Sequence, residues 1–308
     1  MDTSGEGNGG SPSSIGEVGG SVSFGGTSGS PGGSGTAGNS AAGSGAGNSA
    51  AGSGTAGSGV AGGVNAGGGG DEDPCAGGTP DPSPAASVVD GHGFVELNTS
   101  TDNPIVSLVT TLIVPPKPPP SGTLFLWPGL QPLPGGASYS PIDNGVLQPV
   151  LTWGPTCAPN APLATPYEDW WVSAQYVNTF GSAPGYTGCL GGPGMLVPVG
   201  DRLRMTFTLD GTIWRQVVQS EATGQEVSFD IDLQGQSQHR AEFLIEPYDS
   251  LPISDVQFDA TVIRFAKPSP SSCHVLRRGL TDEVAIPVSS PDGTACCVPS
   301  ITLKAPGI

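Results

Sequence analysis

RLRMTFTLDGTIWRQVVQS (Arg202–Ser220) reads as two extended segments joined by a turn. In the first, Leu203, Met205, Phe207 and Leu209 alternate with Arg202, Arg204, Thr206 and Thr208. That two-residue period lets an extended chain bury one face and wet the other. Asp210-Gly211 follows, a dipeptide suited to the centre of a tight hairpin because both residues tolerate positive φ. The spacing predicts a return strand in which Ile213 and Val217 resume the apolar side.

The same pattern extends in both directions. Short apolar or alternating runs stand between Pro and Gly punctuation at Val106–Val114, Thr123–Trp127, Val146–Trp153, Asp169–Val177, Glu226–Leu233, Ala241–Tyr248 and Val256–Phe265. No stretch carries an amphipathic stripe of helical period. Many short strands with frequent turns predict an all-β chain, folded as an antiparallel β-sandwich of jelly-roll or concanavalin-like type.

Composition divides the chain. Residues 1–85 are mostly Gly, Ser, Ala, Asn and Thr with no Lys or Arg, and AGNSAAGSG (Ala37–Gly45) recurs at once as Ala46–Gly54. Such a segment cannot bury enough apolar surface to offset chain entropy and is expected to be a disordered tether. A sandwich domain is expected over 86–267 and a Cys-containing extension over 268–308. The net charge of -17 argues against nucleic acid or an anionic membrane as partner. No apolar run is long enough to span a bilayer. MDTSGEGNGG at the start has neither the basic nor the apolar region of a signal peptide.

Cys75, Cys157, Cys189, Cys273, Cys296 and Cys297 form an even set without zinc spacing. Disulfides are therefore expected, with Cys157 joined to Cys189 and Cys273 to one of Cys296 and Cys297. An oxidising compartment follows, and with it a secreted or surface-anchored protein whose targeting segment is not in this chain. No cofactor and no metal are expected, because His92, His239 and His274 are unpaired at ligand spacing. The first lysine is Lys117, so the glycine-rich region holds no phosphate-binding loop.

An acid and an amide carry what chemistry remains. In AEFLIEPY (Ala241–Tyr248), Ala241, Phe243 and Ile245 take one side; Glu242, Leu244, Glu246 and Tyr248 take the other. In VLQPVLTW (Val146–Trp153), Leu147, Leu151 and Trp153 oppose Gln148, Val150 and Thr152. Trp170 and Trp171 are adjacent on a strand, so one of them faces the polar side.

These segments, with TLFLWPG before them, VPVGDRLRMTF (Val197–Phe207) and LPISDVQFDATVIRF (Leu251–Phe265), resemble the eqolisins, the secreted glutamic endopeptidases of β-sandwich fold. The resemblance covers Leu108 to Phe265. The glutamate of the family's Ala-Glu-Trp motif falls on Glu242, with Phe243 in place of tryptophan. The glutamine of its Leu-Gln-Thr-Gly motif falls on Gln148, and its Trp-Val-Gly-Ile-Asp tryptophan on Trp127. Gln131 and Thr152 stand where the family has aspartates. The resemblance implies hydrolysis of polypeptide at acidic pH, with Glu242 as general base and Gln148 as oxyanion donor. Trp127, Gln131, Trp170, Trp171 and Glu246 are the expected substrate contacts, and a monomer is expected. The alternative is a catalytically silent sandwich that binds a peptide or glycan at the cell surface.

Overall fold

The computed structural model describes residues 73–81, 87–89, 91, 93–133, 139–161, 167–179, 181–249, 254–269, 273 and 277–305. Most of the expected tether (1–72), His92 and His274 lie outside the described residues.

Strands form throughout the described residues, most of them on alternating sequence. The first are β1 (Thr79–Pro80), β2 (Ser87–Val89), β3 (Phe94–Asn98), β4 (Ile105–Ile113) and β5 (Thr123–Gln131). Next come β6 (Val146–Trp153), β7 (Trp170–Asn178), β8 (Gly188–Val197), β9 (Arg202–Asp210), β10 (Ile213–Ser220) and β11 (Glu226–Asp232). The chain then forms β12 (Arg240–Tyr248), β13 (Val256–Phe265), β14 (Arg277–Gly279), β15 (Glu283–Val284), β16 (Val288–Ser289) and β17 (Ala295–Leu303). One sheet runs β1-β16-β17-β13-β4-β9-β10-β11, with β15 beside β17. The second runs β2-β14-β3-β12-β5-β6-β7-β8. Ladders are antiparallel except for the short β14–β2 pair.

The two sheets face each other across one apolar core, as the sandwich reading expects. Phe243 of one sheet meets Phe258 of the other edge to face, ring centroids 5.1 Å apart. Trp153, Trp170, Phe207 and Trp214 fill the same layer. Gly192 of β8 lets the edges close, because a Cβ there would run into the Ser228 carbonyl of β11.

The hairpin over Arg202–Ser220 forms, one residue out of the expected register. Asp210 pairs with Ile213, so Gly211 (φ 62°) and Thr212 are the central residues. A shift of one residue turns every side chain of the return strand over. Trp214, Gln216 and Val218 therefore face the core, while Ile213 is 46% exposed.

The expected limits of the sandwich also change. Residues after 267 are not an appendage: β17 pairs with β13 along its length, and β14 joins the second sheet beside β3. Before residue 86, β1 already pairs with β16. Pro299 sits inside β17 because it lies opposite Ala260 (φ 49°), where the β13 ladder breaks register.

Cys157 bonds to Cys189, Cys273 to Cys296, and Cys75 to Cys297. Neighbouring cysteines on a strand point to opposite faces, so Cys296 lies in the core while Cys297 reaches Cys75. Three disulfides fit an oxidising compartment. Among the described residues no helix is long and apolar enough to cross a membrane.

Candidate active site

β12 lies between β3 and β5. Its Ala241, Phe243 and Ile245 are buried in the core, which leaves Glu242, Leu244 and Glu246 on the outer face of the sheet. Cross-paired residues share a face. Glu242 pairs with Glu96 on one side and Gly129 on the other. The β5–β6 ladder joins Leu126 to Leu151 and Leu130 to Leu147, and that constant register sets Gly129 opposite Gln148. Gln148 pairs with Gln175 of β7. One row therefore crosses the outer face: Glu96, Glu242, Gly129, Gln148, Gln175. Two strand spacings, roughly 10 Å, separate the backbones of the acid and the amide.

The sequence makes a seam in this row. No ladder pair forms over Trp127–Gly129 against Gln148–Val150, and Pro128 and Pro149, which have no N–H to donate, lie within it. Gly129 is required here by contact. A Cβ on it would lie 2.8 Å from the Trp127 ring and 2.9 Å from Val146. The benzo edge of Trp127 thus overlies the floor between Glu242 and Gln148. Its indole N–H donates to Glu246 Oε2 at 3.0 Å, and the Tyr248 hydroxyl donates to Glu246 Oε1 at 2.6 Å. Burial, then the Glu246 carboxylate, raise the Tyr248 hydroxyl above its usual pKa. Glu246 is thereby occupied in holding Trp127 in place.

The two members of the central pair differ in their partners. Gln148 is 7% exposed, and its amide hydrogen-bonds to none of the described residues. The Glu242 side chain is 15% exposed, and Arg240 Nη1 donates to its Oε1 at 2.8 Å. Arg240 Nε lies 3.2 Å from Glu96 Oε1, and Glu96 Oε2 lies 3.4 Å from Arg277. Asn98 also donates to Glu96, at 3.1 Å. Charges alternate along this chain from the half-exposed Arg277 inward to Glu242. Burial is the largest influence on Glu242 and raises its carboxyl above the ordinary value; the charge and hydrogen bond of Arg240 oppose it.

Glu96, Arg240 and Arg277 are absent from the sequence-based expectation. Arg240 had a signal: it stands two residues before Glu242, hence on the same face, in a chain with only 10 Lys and Arg. Glu96 and Arg277 had none, since only the pairing of β3 with β12 and β14 brings them in.

The remaining expected residues divide. Trp171 is the tryptophan on the polar side, 6% exposed, between Thr152 and Leu196 in the sheet. Trp170 faces the other way and is a correction: it is fully buried in the core, its ring 5.4 Å from that of Trp153. Gln131 is half-buried opposite Arg240, on the same outer face. Thr152 is fully buried, its hydroxyl without a partner. A cavity of about 500 Å³ lies elsewhere, between β8 and β11, against Asn160, Tyr186, Phe229, Asp230 and Asp232; no expected site residue lines it. Asp73, Cys75 and Cys297 come together closely enough to suggest a metal, but the two cysteines are bonded to each other and offer no thiolate.

No protein-family profile matches the chain, and no curated protein matches it. Among solved structures, scytalido-glutamic peptidase with a transition state analog inhibitor is 15% identical, with a TM-score of 0.41 over 69% of this chain and 99% of that one. SCP-B, a member of the eqolisin family of peptidases in complex with the tripeptide Ala-Ile-His, is 14% identical, with a TM-score of 0.39 over 71% and 100%. The CBM2 module of a Lactobacillus casei phage J-1 evolved Dit protein is 8% identical, with a TM-score of 0.31 over 70% of each.

Proposed function

We propose that this chain is a glutamic-type peptide hydrolase in which Glu242 is the general base and Gln148 the oxyanion donor. The row Glu242–Gly129–Gln148 carries the reading: an acid and an uncommitted amide share one face, with the Trp127 ring lying over the glycine between them. Glu242 takes a proton from a water as the water oxygen bonds to the scissile carbonyl carbon. The carbonyl electron pair moves onto oxygen, where the Gln148 amide N–H donates to it. The tetrahedral species collapses with cleavage of the C–N bond, and the leaving amine takes its proton from Glu242. A carboxyl raised by burial suits this double role, since it accepts and returns a proton near its own pKa. Trp171 and the Trp127 ring line the row with apolar surface for the peptide, and Gln131 offers a polar contact beside it, opposite Arg240. Secretion accords with the disulfides and with this activity.

The experiment is digestion of an unfolded protein over a range of acidic pH by wild type, Gln148→Ala and Glu242→Gln. Loss of roughly 10²–10³-fold on removing the oxyanion donor is expected, with cleavage abolished in the Glu242 variant. Equal rates in all three, or none in any, would overturn the hydrolase reading.

One observation favours a second reading, a silent module that binds a peptide or glycan on the same face. Glu242 is ion-paired with Arg240, and no acid replaces the two aspartates that Gln131 and Thr152 displace. Binding without cleavage by wild type, weakened in Trp171→Ala, would select it.

A further inference from the structure

Glu242 ends a file of four charges that lies on three adjacent strands. Arg277 on β14 pairs across the sheet with Glu96 on β3, Glu96 with Glu242 on β12, and Arg240 reaches from β12 to both acids. The outermost member, Arg277, is half in water and lies over the Phe94 ring at 5.8 Å. The inner three are sheltered. Among the described residues, the remaining groups facing Glu242 from the neighbouring strands are neutral. From β5 these are Trp127, Gly129 and Gln131, and from β6 Gln148; the next acid along β12, Glu246, is held by Trp127 and Tyr248. Arg240 is the cation hydrogen-bonded to Glu242, and Glu96 holds its far side by charge, with Oε1 3.2 Å from a buried Nε that makes no hydrogen bond.

We propose that Arg240 and Glu96 are positioning residues for Glu242, turning Oε1 toward β3 and leaving Oε2 for the water, and that they set the acidity at which the site works. Oε2 makes no hydrogen bond to any described residue, which accords with this division. The proposal rests on Glu242 being the proton acceptor of the hydrolase reading. Its electrostatics give the two partners opposite effects. Arg240 favours the ionised carboxylate and Glu96, a like charge, disfavours it. A merely structural pair would affect Glu242 in one common direction, or not at all.

The test is the pH titration of the Glu242 carboxyl carbon in full-length protein carrying ¹³C-labelled glutamate. The signal is identified by its loss in Glu242→Gln. Arg240→Gln is expected to move the midpoint up and Glu96→Gln to move it down, with the acid limb of peptide cleavage following each. Arg240→Lys should restore the midpoint in part, since the charge returns without the planar fork. Should Arg240→Gln fail to fold, Arg277→Gln at the exposed end reads the same sign, upward and smaller. Shifts in the same direction, or none, overturn the proposal. Opposite shifts without cleavage by wild type would uphold the electrostatic roles and overturn the peptidase reading alone, so the two failures are separable.

Discussion

The outer faces of the two sheets obey the same alternation and treat charge in opposite ways. On the nine-stranded sheet, Arg215 and Asp230 pair across β10 and β11 at 3.8 Å with side chains 55% and 52% exposed. Water solvates both, and a pair of this kind is worth about 0–1 kcal/mol. On the other sheet, Arg240 lies within 3.2 Å of both Glu96 and Glu242, with all three side chains largely withdrawn from water. Withdrawing charge costs several kcal/mol per ion before attraction offsets it, and a well-packed apolar residue would often serve stability as well. The two faces therefore differ in how much charge each withdraws from water, and that difference can be measured.

The largest effect that separates the faces is breakage of the sheltered file. Glu96→Ala leaves Arg240 with half its partners and is expected to lower stability by about 3–5 kcal/mol in urea titrations, whereas Asp230→Ala should change it by less than about 0.5 kcal/mol. Similar losses in both would erase the distinction drawn between the faces.

Next comes Gly129→Ala. The new methyl meets the Trp127 ring, itself pinned by Glu246, so the neighbour cannot simply swing aside. A cost of about 1–3 kcal/mol is expected, with a shift of the tryptophan emission as Trp127 is displaced. Unchanged stability would mean that the floor of the row is looser than the contacts show.

Glu242→Gln sharpens the comparison through pH. Burial raises the folded-state carboxyl above the unfolded value of 4.5. The contribution of the wild-type group is therefore fully present below the unfolded pKa and is lost as pH rises through the folded one. The variant has no such loss. Glu242→Gln should match wild type in acid and gain on it toward neutral pH, as measured by thermal unfolding at several pH values. A gain in acid that fades toward neutral would reverse the sign and contradict the burial assigned to Glu242.

The smallest effect is on the exposed sheet. Ile213→Thr should alter stability by about 0.5 kcal/mol or less, because Ile213 faces water. The expectation from sequence, Ile213 inward, would have made it a costly core change.

That position shows where the sequence stops being legible. The strand pattern of Leu203 through Leu209 was plain, yet the return strand depended on whether Asp210 or Gly211 opened the turn. Apolar side chains on both faces of Ile213–Ser220 left the parity undecided. β8, GCLGGPGMLV, was not among the expected strands, since it has no alternation; its glycines let β7 and β11 approach it. The outward placement of Glu242 and Gln148 followed from alternation alone. Their common row did not, because it depends on the register of β5 between them. Trp170 and Trp171 were known to oppose each other, and only the β7 ladder decided which of them joins the core.

Cys75 is the first cysteine of the chain, and its bond to Cys297 enters β17, a strand flanked by β13 and β16. A pull arriving along the chain from the N-terminal side would pass through that sulfur bridge into the middle of a sheet. The start of the described domain is thus tied covalently to an interior strand rather than to an edge.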